Sequence, residues 1–183
     1  MLTIRKKLAE QASNGEQSQA GVRVQRRVSF RSQLLIAEAG ELGEVTPNTC
    51  AVTFDNPDDL REFTVTVIPD EGYWEKGKFT FHVSIPPEYN IKPPCVRCET
   101  RLWHPNITET GEVCLSILRE TSIDGSGWSP ARRLKDVVLG INSLFTDLLN
   151  FDDPLNLDAA QHYEGDKVAF ARKVQQFIRL YAS

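Results

Sequence analysis

No stretch of this sequence approaches the roughly 20 consecutive apolar residues that a membrane-spanning helix needs, so we do not expect an integral membrane protein. The first eight residues, Met-Leu-Thr-Ile-Arg-Lys-Lys-Leu, lack the apolar stretch and the small-residue cleavage site of a secretory signal. Basic residues are not in excess, because the net charge is −4, and we do not expect nucleic-acid binding through bulk charge. No internal repeat is visible, and 183 residues fall within the size of one domain.

Cysteine is scarce, with residues at positions 50, 95, 98 and 114. A chain of this length can build a core without disulfides, so reduced thiols are expected. Cys95 and Cys98 form a C-x-x-C motif, but they lie in a predicted strand, where residues three apart point to opposite faces. The sequence offers no second pair to complete a zinc site. We therefore expect no metal site.

Residues 1–27 differ in composition from the rest of the chain. Residues 10–25 are rich in Gln, Ser, Ala and Gly, and six basic against two acidic residues give the segment a charge of +4, which leaves −8 for the remainder. This composition predicts a flexible basic arm. Apolar residues at helical spacing, Met1, Leu2, Ile4 and Leu8, leave two interpretations open, a solvated tail or a docking peptide.

From residue 28 onward the hydrophobic pattern predicts helices and strands. A first helix is expected after the cap Ser29, and Gly43 followed by Pro47 would end it. Its apolar face would comprise Phe30, Leu34, Leu35, Ala39 and Leu42. Alternating apolar and polar residues predict three or four strands of an antiparallel meander, at 50–54, 62–68, 79–85 and 95–100. His82 falls on the polar face of the third strand and is expected to be exposed or lightly satisfied.

The last third of the sequence predicts helices. A buried helix is expected up to Asp152-Asp153-Pro154, where proline breaks it. Its apolar stripe would comprise Leu134, Val137, Val138, Ile141, Leu144, Phe145, Leu148 and Leu149. A short helix near 157–163 would have Asn156 as its cap, and a last helix would follow Gly165-Asp166. The apolar side of that last helix would comprise Val168, Phe170, Val174, Phe177, Ile178 and Tyr181.

Cys114 is the strongest candidate for a functional residue. It lies eight residues after His104-Pro105-Asn106, and the intervening segment is rich in turn-forming residues. Such a turn would bring a thiol next to an amide side chain. A thiol can carry an acyl group, and an amide can stabilise the oxyanion that forms when the acyl group is attacked, so the pair suits acyl transfer. A buried structural cysteine is the alternative interpretation.

Over residues 28–183 the sequence resembles the ubiquitin-conjugating enzymes, the E2 family. The matching motifs, in order, are Tyr89-Asn90-Ile91-Lys92-Pro93-Pro94, His104-Pro105-Asn106-Ile107, Gly111-Glu112-Val113-Cys114-Leu115, Trp128-Ser129-Pro130-Ala131 and Asp152-Asp153-Pro154-Leu155. The resemblance implies the α+β E2 (UBC) fold: an N-terminal helix, a four-stranded antiparallel meander, an active-site loop, a buried central helix and two C-terminal helices. It divides the chain into the arm, residues 1–27, and a catalytic domain, residues 28–183.

Within the family the sequence is most similar to the NEDD8-conjugating enzymes. It looks like the branch whose RING partner is the SAG-type protein that serves cullin-5. The segments that carry this likeness are Pro69-Asp70-Glu71-Gly72-Tyr73, Gly77-Lys78-Phe79, the run 144–156 and the insertion 120–127. Two positions depart from the common ubiquitin E2 pattern, since Asn90 and Phe151 stand where proline is frequent.

The resemblance implies a role for each residue of the active site. Cys114 would be the nucleophile that accepts NEDD8 as a thioester, and Asn106 would support the oxyanion or order the loop. His104 would brace the turn that presents the asparagine. Asp153 would orient the incoming lysine and lower its pKa, unless it only caps the following helix, and Asn150 would help to hold the acceptor side of the groove.

The resemblance also implies the partners. Ile91 with Ser129, Pro130 and Ala131 would face a RING E3 of the SAG type, and the start of the first helix would share that surface with the E1. Met1, Leu2 and Ile4 would bind the heterodimeric NEDD8 E1 and a Dcn1-like co-E3. The substrate would be a lysine, on a cullin. No cofactor is expected, because ATP is consumed by the E1, and we expect a monomer in the cytoplasm and nucleus that binds neither nucleic acid nor membrane.

Three alternatives remain open at this point. The chain could be charged with ubiquitin instead of NEDD8. It could be an E2-like binding module without activity, although the intact motif around Cys114 argues against that. It could also be a non-catalytic adaptor that works mainly through the basic arm.

Overall fold

The computed structural model describes residues 30–121, 125–146 and 153–183. In this part of the chain, helices flank one antiparallel sheet, and a 3₁₀ turn at Ser116–Leu118 lies between the sheet and the second helix. The elements in chain order are α1 (Phe30–Val45), β1 (Cys50–Thr53), β2 (Glu62–Val67), β3 (Phe79–Ser84), β4 (Cys95–Cys98), α2 (Leu134–Ser143), α3 (Leu157–Gly165) and α4 (Lys167–Tyr181). The predicted α+β architecture is confirmed.

The sheet is the predicted meander, with strands in the order β1-β2-β3-β4 and each neighbouring pair antiparallel. In the register, Val65 lies opposite Phe81, and Phe81 lies opposite Cys98. One face of the two central strands is buried in the core, through Phe63, Val65, Val67, Phe79, Phe81 and Val83. The other face is partly exposed, because the pleat turns alternate side chains away from the core. As predicted, His82 lies on that face and is partly exposed; it pairs with Glu62.

Helix α1 differs from its prediction in two ways. It continues through Gly43 to Val45, and it stops only where Thr46 bonds back to the Leu42 carbonyl. Phe30 is 77% exposed and does not belong to the core. A charged residue takes a core position instead: Glu38 is buried and accepts hydrogen bonds from the Tyr89 hydroxyl at 2.6 Å and the Leu134 N–H at 2.8 Å. The predicted cap Ser29 lies outside the described residues.

The C-terminal helices follow the predicted order with different limits. Helix α2 ends at Ser143, earlier than predicted, although Leu144 and Phe145 remain buried in the turn that follows. Leu148 and Leu149 lie outside the described residues. Asn156 caps α3 by accepting from the Ala159 N–H at 3.1 Å, as predicted.

Helix α4 begins at the cap Asp166, which accepts from the N–H groups of residues 168 and 169. Its buried stripe is Phe170, Val174 and Ile178, at the i, i+4, i+8 spacing of one helix face. Val168 was predicted to lie on the apolar side, and this was wrong, because it is 60% exposed. Tyr181 is 45% exposed, and its ring contacts Phe177 with centroids 5.5 Å apart. No helix among the described residues has the length and apolar character to span a bilayer.

Candidate active site

The His104-Pro105-Asn106 turn is fixed by a histidine with no exposed surface. Its Nδ1 accepts the Asn106 N–H at 2.9 Å, so the ring proton is on Nε2, which donates to the Leu144 carbonyl at 2.8 Å. Burial lowers the pKa of His104 to about 4, so the ring is neutral at neutral pH. Because both ring nitrogens are engaged, the histidine ties the turn to the end of α2.

Aromatic rings enclose this histidine on the core side. Trp74 lies against the ring with centroids 4.6 Å apart, and Phe145 approaches edge-on at 5.8 Å. The Trp74 indole N–H donates to the Trp103 carbonyl at 3.1 Å, next to the turn. The packing fixes the orientation of the imidazole. Because the Asn106 N–H donates to that ring, the core also fixes the position of Asn106.

The loop after the turn folds back on itself and delivers Cys114. The Cys114 N–H donates to the Asn106 carbonyl at 2.9 Å, and Ile107 is bridged to Val113. Gly111 has a φ of +90°, and a Cβ there would lie 2.1 Å from the Cys98 carbonyl oxygen, so the loop can approach β4 only with glycine at this position. The geometry thus brings the backbones of Cys114 and Asn106 together. Asn106 itself is buried.

The four thiols differ in their environments. Burial raises the pKa of Cys98 to about 12 and also raises the pKa of Cys50, which makes both poor nucleophiles at neutral pH. Cys95 is exposed on the edge strand β4 and points away from the buried Cys98, as predicted. Cys114 is half-buried in the active-site loop. The described residues contain no cluster of His, Cys, Asp and Glu that could hold a metal ion.

Arg119 is a site residue that the sequence analysis missed. Its Nη2 donates to the Cys114 Sγ at 3.5 Å and to the Asp153 Oδ2 at 2.9 Å. The thiol, and then the carboxylate, raise the pKa of the guanidinium. In sequence Arg119 lies only five residues after Cys114, but it is the 3₁₀ turn between them that returns its side chain towards the sulfur.

Asp153 is 72% exposed and lies 34 residues after Arg119 in the sequence. Its segment is held against the turn because the Asn156 N–H donates to the Pro105 carbonyl at 2.8 Å. The alternative that Asp153 caps the next helix is wrong, since Asn156 performs that role. Asn150, the other predicted acceptor-side residue, lies outside the described residues.

The predicted E3-facing residues form one exposed surface on two loops. Ile91 is 76% exposed, and Ser129, Pro130 and Ala131 are exposed as well. The Asn90 side-chain amide donates to the Pro130 carbonyl at 2.7 Å, and the Trp128 indole N–H donates to the Asn90 carbonyl at 2.8 Å. These bonds join the two loops. The predicted docking residues Met1, Leu2 and Ile4 lie outside the described residues.

Comparison with known proteins agrees with this geometry. A family model described as ubiquitin-conjugating enzyme matches residues 34–178. NEDD8-conjugating enzyme UBE2F of Gallus gallus is 60% identical over 157 residues, which are 86% of this chain and 85% of that protein. The UBE2F protein of Danio rerio is 55% identical over 184 residues, covering 100% of both chains. NEDD8-conjugating enzyme ubc-12 of Caenorhabditis elegans is 50% identical over 122 residues, 67% of this chain and 68% of its own. The chain therefore belongs to the ubiquitin-conjugating enzyme (E2) family.

Proposed function

We propose that this E2 conjugates NEDD8: it accepts NEDD8 from the E1 as a thioester on Cys114 and transfers it to a substrate lysine. The observation that carries the proposal is the half-buried Cys114 held beside Asn106 in a chain 55% identical, along its whole length, to a NEDD8-conjugating enzyme. The two more deeply buried thiols, Cys50 and Cys98, are poor nucleophiles because burial raises their pKa.

The reaction has two acyl transfers. In charging, the Cys114 thiolate attacks the carbonyl carbon of the E1–NEDD8 thioester, and the E1 cysteine leaves. In discharge, a lysine amine attacks the same carbon, an amide bond forms, and Cys114 leaves as a thiolate. We assign Asn106 to support of the oxyanion or of the loop, and Asp153 to orientation of the lysine. His104 acts through the turn, because both its ring nitrogens are already bonded.

The finer assignments of partners belong to the same proposal. Exposed Ile91 and the 129–131 loop suit a RING domain of the SAG type, because small exposed apolar contacts often mark interfaces. The substrate lysine would be on a cullin, the N-terminal residues Met1, Leu2 and Ile4 would bind the E1 and a Dcn1-like co-E3, and the protein would act in the cytoplasm and nucleus. Because the start of the first helix would belong to both binding surfaces, E1 and RING binding would compete.

The test is thioester charging with purified NEDD8 E1, NEDD8 and ATP, with and without reductant. We expect a reducible adduct for the native protein and an adduct resistant to thiol reductant for Cys114→Ser, because an ester replaces the thioester. Cys95→Ser is the matched control, since Cys95 is the exposed thiol outside the loop, and it should charge normally. A reducible adduct that persists in Cys114→Ser would remove Cys114 from the role.

Side-by-side charging with the ubiquitin E1 separates NEDD8 from ubiquitin. Faster charging with ubiquitin would overturn the choice of NEDD8 while keeping the E2 chemistry. Binding without charging by either E1 would favour a non-catalytic module. Deletion of residues 1–27 tests the arm: if charging persists at a reduced rate, the arm assists an active E2 and is not itself the functional unit.

A further inference from the structure

We propose that Arg119 is a further catalytic residue, whose guanidinium stabilises the negative charge on the Cys114 sulfur when that sulfur attacks and when it leaves. The inference rests on the proposed function for its second half, the transfer of NEDD8. Its first half concerns the uncharged protein alone, so the two can be tested separately.

The position of Arg119 is fixed by its own backbone. Its N–H donates to the Ser116 carbonyl at 3.1 Å, and its carbonyl accepts from the Trp128 N–H at 2.8 Å. The side chain leaves this anchored point and places Nη2 between two acceptors, 3.5 Å from the Cys114 Sγ and 2.9 Å from the Asp153 Oδ2. Since the side chain is 42% exposed, it can move when a substrate arrives.

Two other arginines near the loop show what a structural role looks like. Arg97 donates to the Thr110 carbonyl at 2.8 Å, and Arg101 pairs with Glu109. Arg97 holds the loop to β4, and Arg101 holds the loop to the segment that follows β4. Thr110 and Glu109, which they bond, take no part in the chemistry. Arg119 differs because its guanidinium contacts the reacting atom. A hydrogen bond between a charged donor and an anionic acceptor is roughly twice as strong as one between neutral groups.

In charging, the Cys114 thiol gives its proton to solvent, and the resulting thiolate beside Arg119 forms the new carbon–sulfur bond. The bond between that carbon and the E1 sulfur breaks, and the E1 thiolate takes up a proton. In the thioester the sulfur is neutral and a weak acceptor, so the guanidinium remains with Asp153. In discharge, the lysine nitrogen forms a bond to carbon, the nitrogen loses its extra proton to solvent, and sulfur leaves as a thiolate beside Arg119 again.

This cycle explains why one arginine would serve both steps. Its contact is strong where the sulfur is charged, at the start of charging and the end of discharge, and weak in the thioester between them. In discharge the contact strengthens as the departing sulfur gains charge, and in charging it strengthens from the neutral thiol to the partly negative attacking sulfur. An interaction that is stronger in the transition state than in the ground state raises the rate. The bond to Asp153 keeps the guanidinium beside the sulfur while the thioester waits for its acceptor.

The first experiment measures alkylation of the uncharged protein by iodoacetamide between pH 6 and pH 10, with each cysteine quantified by peptide mass spectrometry. In Arg119→Gln, we expect Cys114 to react about threefold to fivefold more slowly at pH 7, the effect of a partly exposed ion pair. Arg119→Lys should recover most of the rate. Exposed Cys95 in the same sample is the internal reference, and Arg179→Gln, which removes an exposed charge from the last turn of α4, is the charge-matched control.

The result that overturns the proposal is a folded Arg119→Gln protein whose Cys114 profile matches the native one. Equal slowing by Gln and Lys would also overturn it, because the effect would then come from packing and not from charge. Circular dichroism and urea unfolding establish that each variant is folded.

The second experiment measures single-turnover charging and discharge onto free lysine. Arg119→Gln should slow both steps, and slowing of neither overturns the second half of the proposal. If the native protein were charged by no E1 while the alkylation difference held, the proposed function would fail and the role of Arg119 at the thiol would stand.

Discussion

The His104 turn and the Cys114 side of the groove are neighbours with opposite properties. The turn is buried and neutral, and each histidine nitrogen has one backbone partner. The other side is open: Cys114 is half-buried, and Arg119 and Asp153 form a charged pair with 42% and 72% of their side chains exposed. One region holds a shape, while the other carries the groups that react.

The difference follows from what each region must do. Breaking a buried hydrogen bond costs free energy, because the donor and acceptor have no water to bond to instead. The turn therefore has one stable arrangement. An exposed ion pair contributes little to stability and rearranges easily. A thiol that receives an acyl group from one protein and gives it to another must lie on the surface, and the adjacent buried turn can fix its position. Variants of the two regions should therefore separate stability from activity.

The largest effect should come from His104→Ala. The change leaves a cavity among Trp74 and Phe145 and strands the Asn106 N–H and the Leu144 carbonyl without their partner. We expect the free energy of unfolding to fall by about 3–5 kcal/mol, from the cavity and the two unpaired groups together. Urea denaturation at pH 7 measures it.

The matched control is His82→Ala on the partly exposed face of β3, where the histidine pairs with Glu62 in water. That change should alter stability by no more than about 0.5 kcal/mol, as for an ordinary surface substitution. Equal losses at the two histidines would mean that the turn is not the rigid element assumed here.

The second effect extends the comparison to α1, which carries a buried glutamate, Glu38, and a partly exposed one, Glu41, one turn apart. Glu38→Ala leaves the Tyr89 hydroxyl and the Leu134 N–H unpaired, so we expect a loss of about 2–3 kcal/mol. Burial and then the Glu38 contact raise the pKa of Tyr89, which keeps that hydroxyl a donor. Glu41→Ala removes only an exposed pair with Arg133 and should cost less than about 1 kcal/mol. Thermal unfolding of the two variants side by side measures the difference, and a reversed order would contradict this view of the buried carboxylate.

The third effect is a pH dependence that belongs to the buried turn. The pKa of His104 is about 4 in the folded protein, below the ordinary value near 6.5. Between these values the unfolded chain binds a proton that the native ring does not. The contribution of His104 to the free energy of unfolding therefore has its full value above pH 6.5 and decreases as the pH falls towards 4. From pH 7 to pH 5 we expect about 2 kcal/mol of lost stability, before the carboxylates contribute much. Urea midpoints at the two pH values test this, and a His104→Asn variant should show a smaller change. An unaltered slope in that variant would assign the effect elsewhere.

Much of the fold was predictable because the sheet and helices bury regular stripes. The alternation of Phe63, Val65 and Val67 needs only a period of two to be recognised. The errors came from residues whose environment depends on distant partners: Phe30 has a hydrophobic side chain but is 77% exposed, and Glu38 is buried because of Tyr89 and Leu134.

The site divides in the same way. Cys114 and Asn106 stand in one continuous motif, so their proximity could be expected from the turn between them. Arg119 was missed because an arginine in a polar loop is unremarkable until Asp153, 34 residues away in sequence, is brought to the same guanidinium. The chain order contains no sign of that contact, which needs the fold to hold the segment after Asp153 against Pro105 through the Asn156 N–H.

The smallest effect concerns the bond that joins the two E3-facing loops. Trp128→Phe keeps most of the buried ring but removes the indole N–H that donates to the Asn90 carbonyl at 2.8 Å. We expect a loss of about 1 kcal/mol in stability, the net contribution of one hydrogen bond.

The Trp128 backbone N–H still donates to the Arg119 carbonyl in this variant, so discharge onto free lysine without a RING domain should stay near the native rate. Stimulation of discharge by a RING domain should fall in part, since one of the two bonds that join the Ile91 loop to the 129–131 loop is lost while the bond from the Asn90 amide to the Pro130 carbonyl remains. Ile91→Ala should reduce that stimulation with little change in stability, because its side chain is already exposed. If Trp128→Phe slowed unstimulated discharge as well, the E3-facing loops and the reacting groove would behave as one unit, and the division between a region that holds shape and a region that reacts would have to be drawn around both.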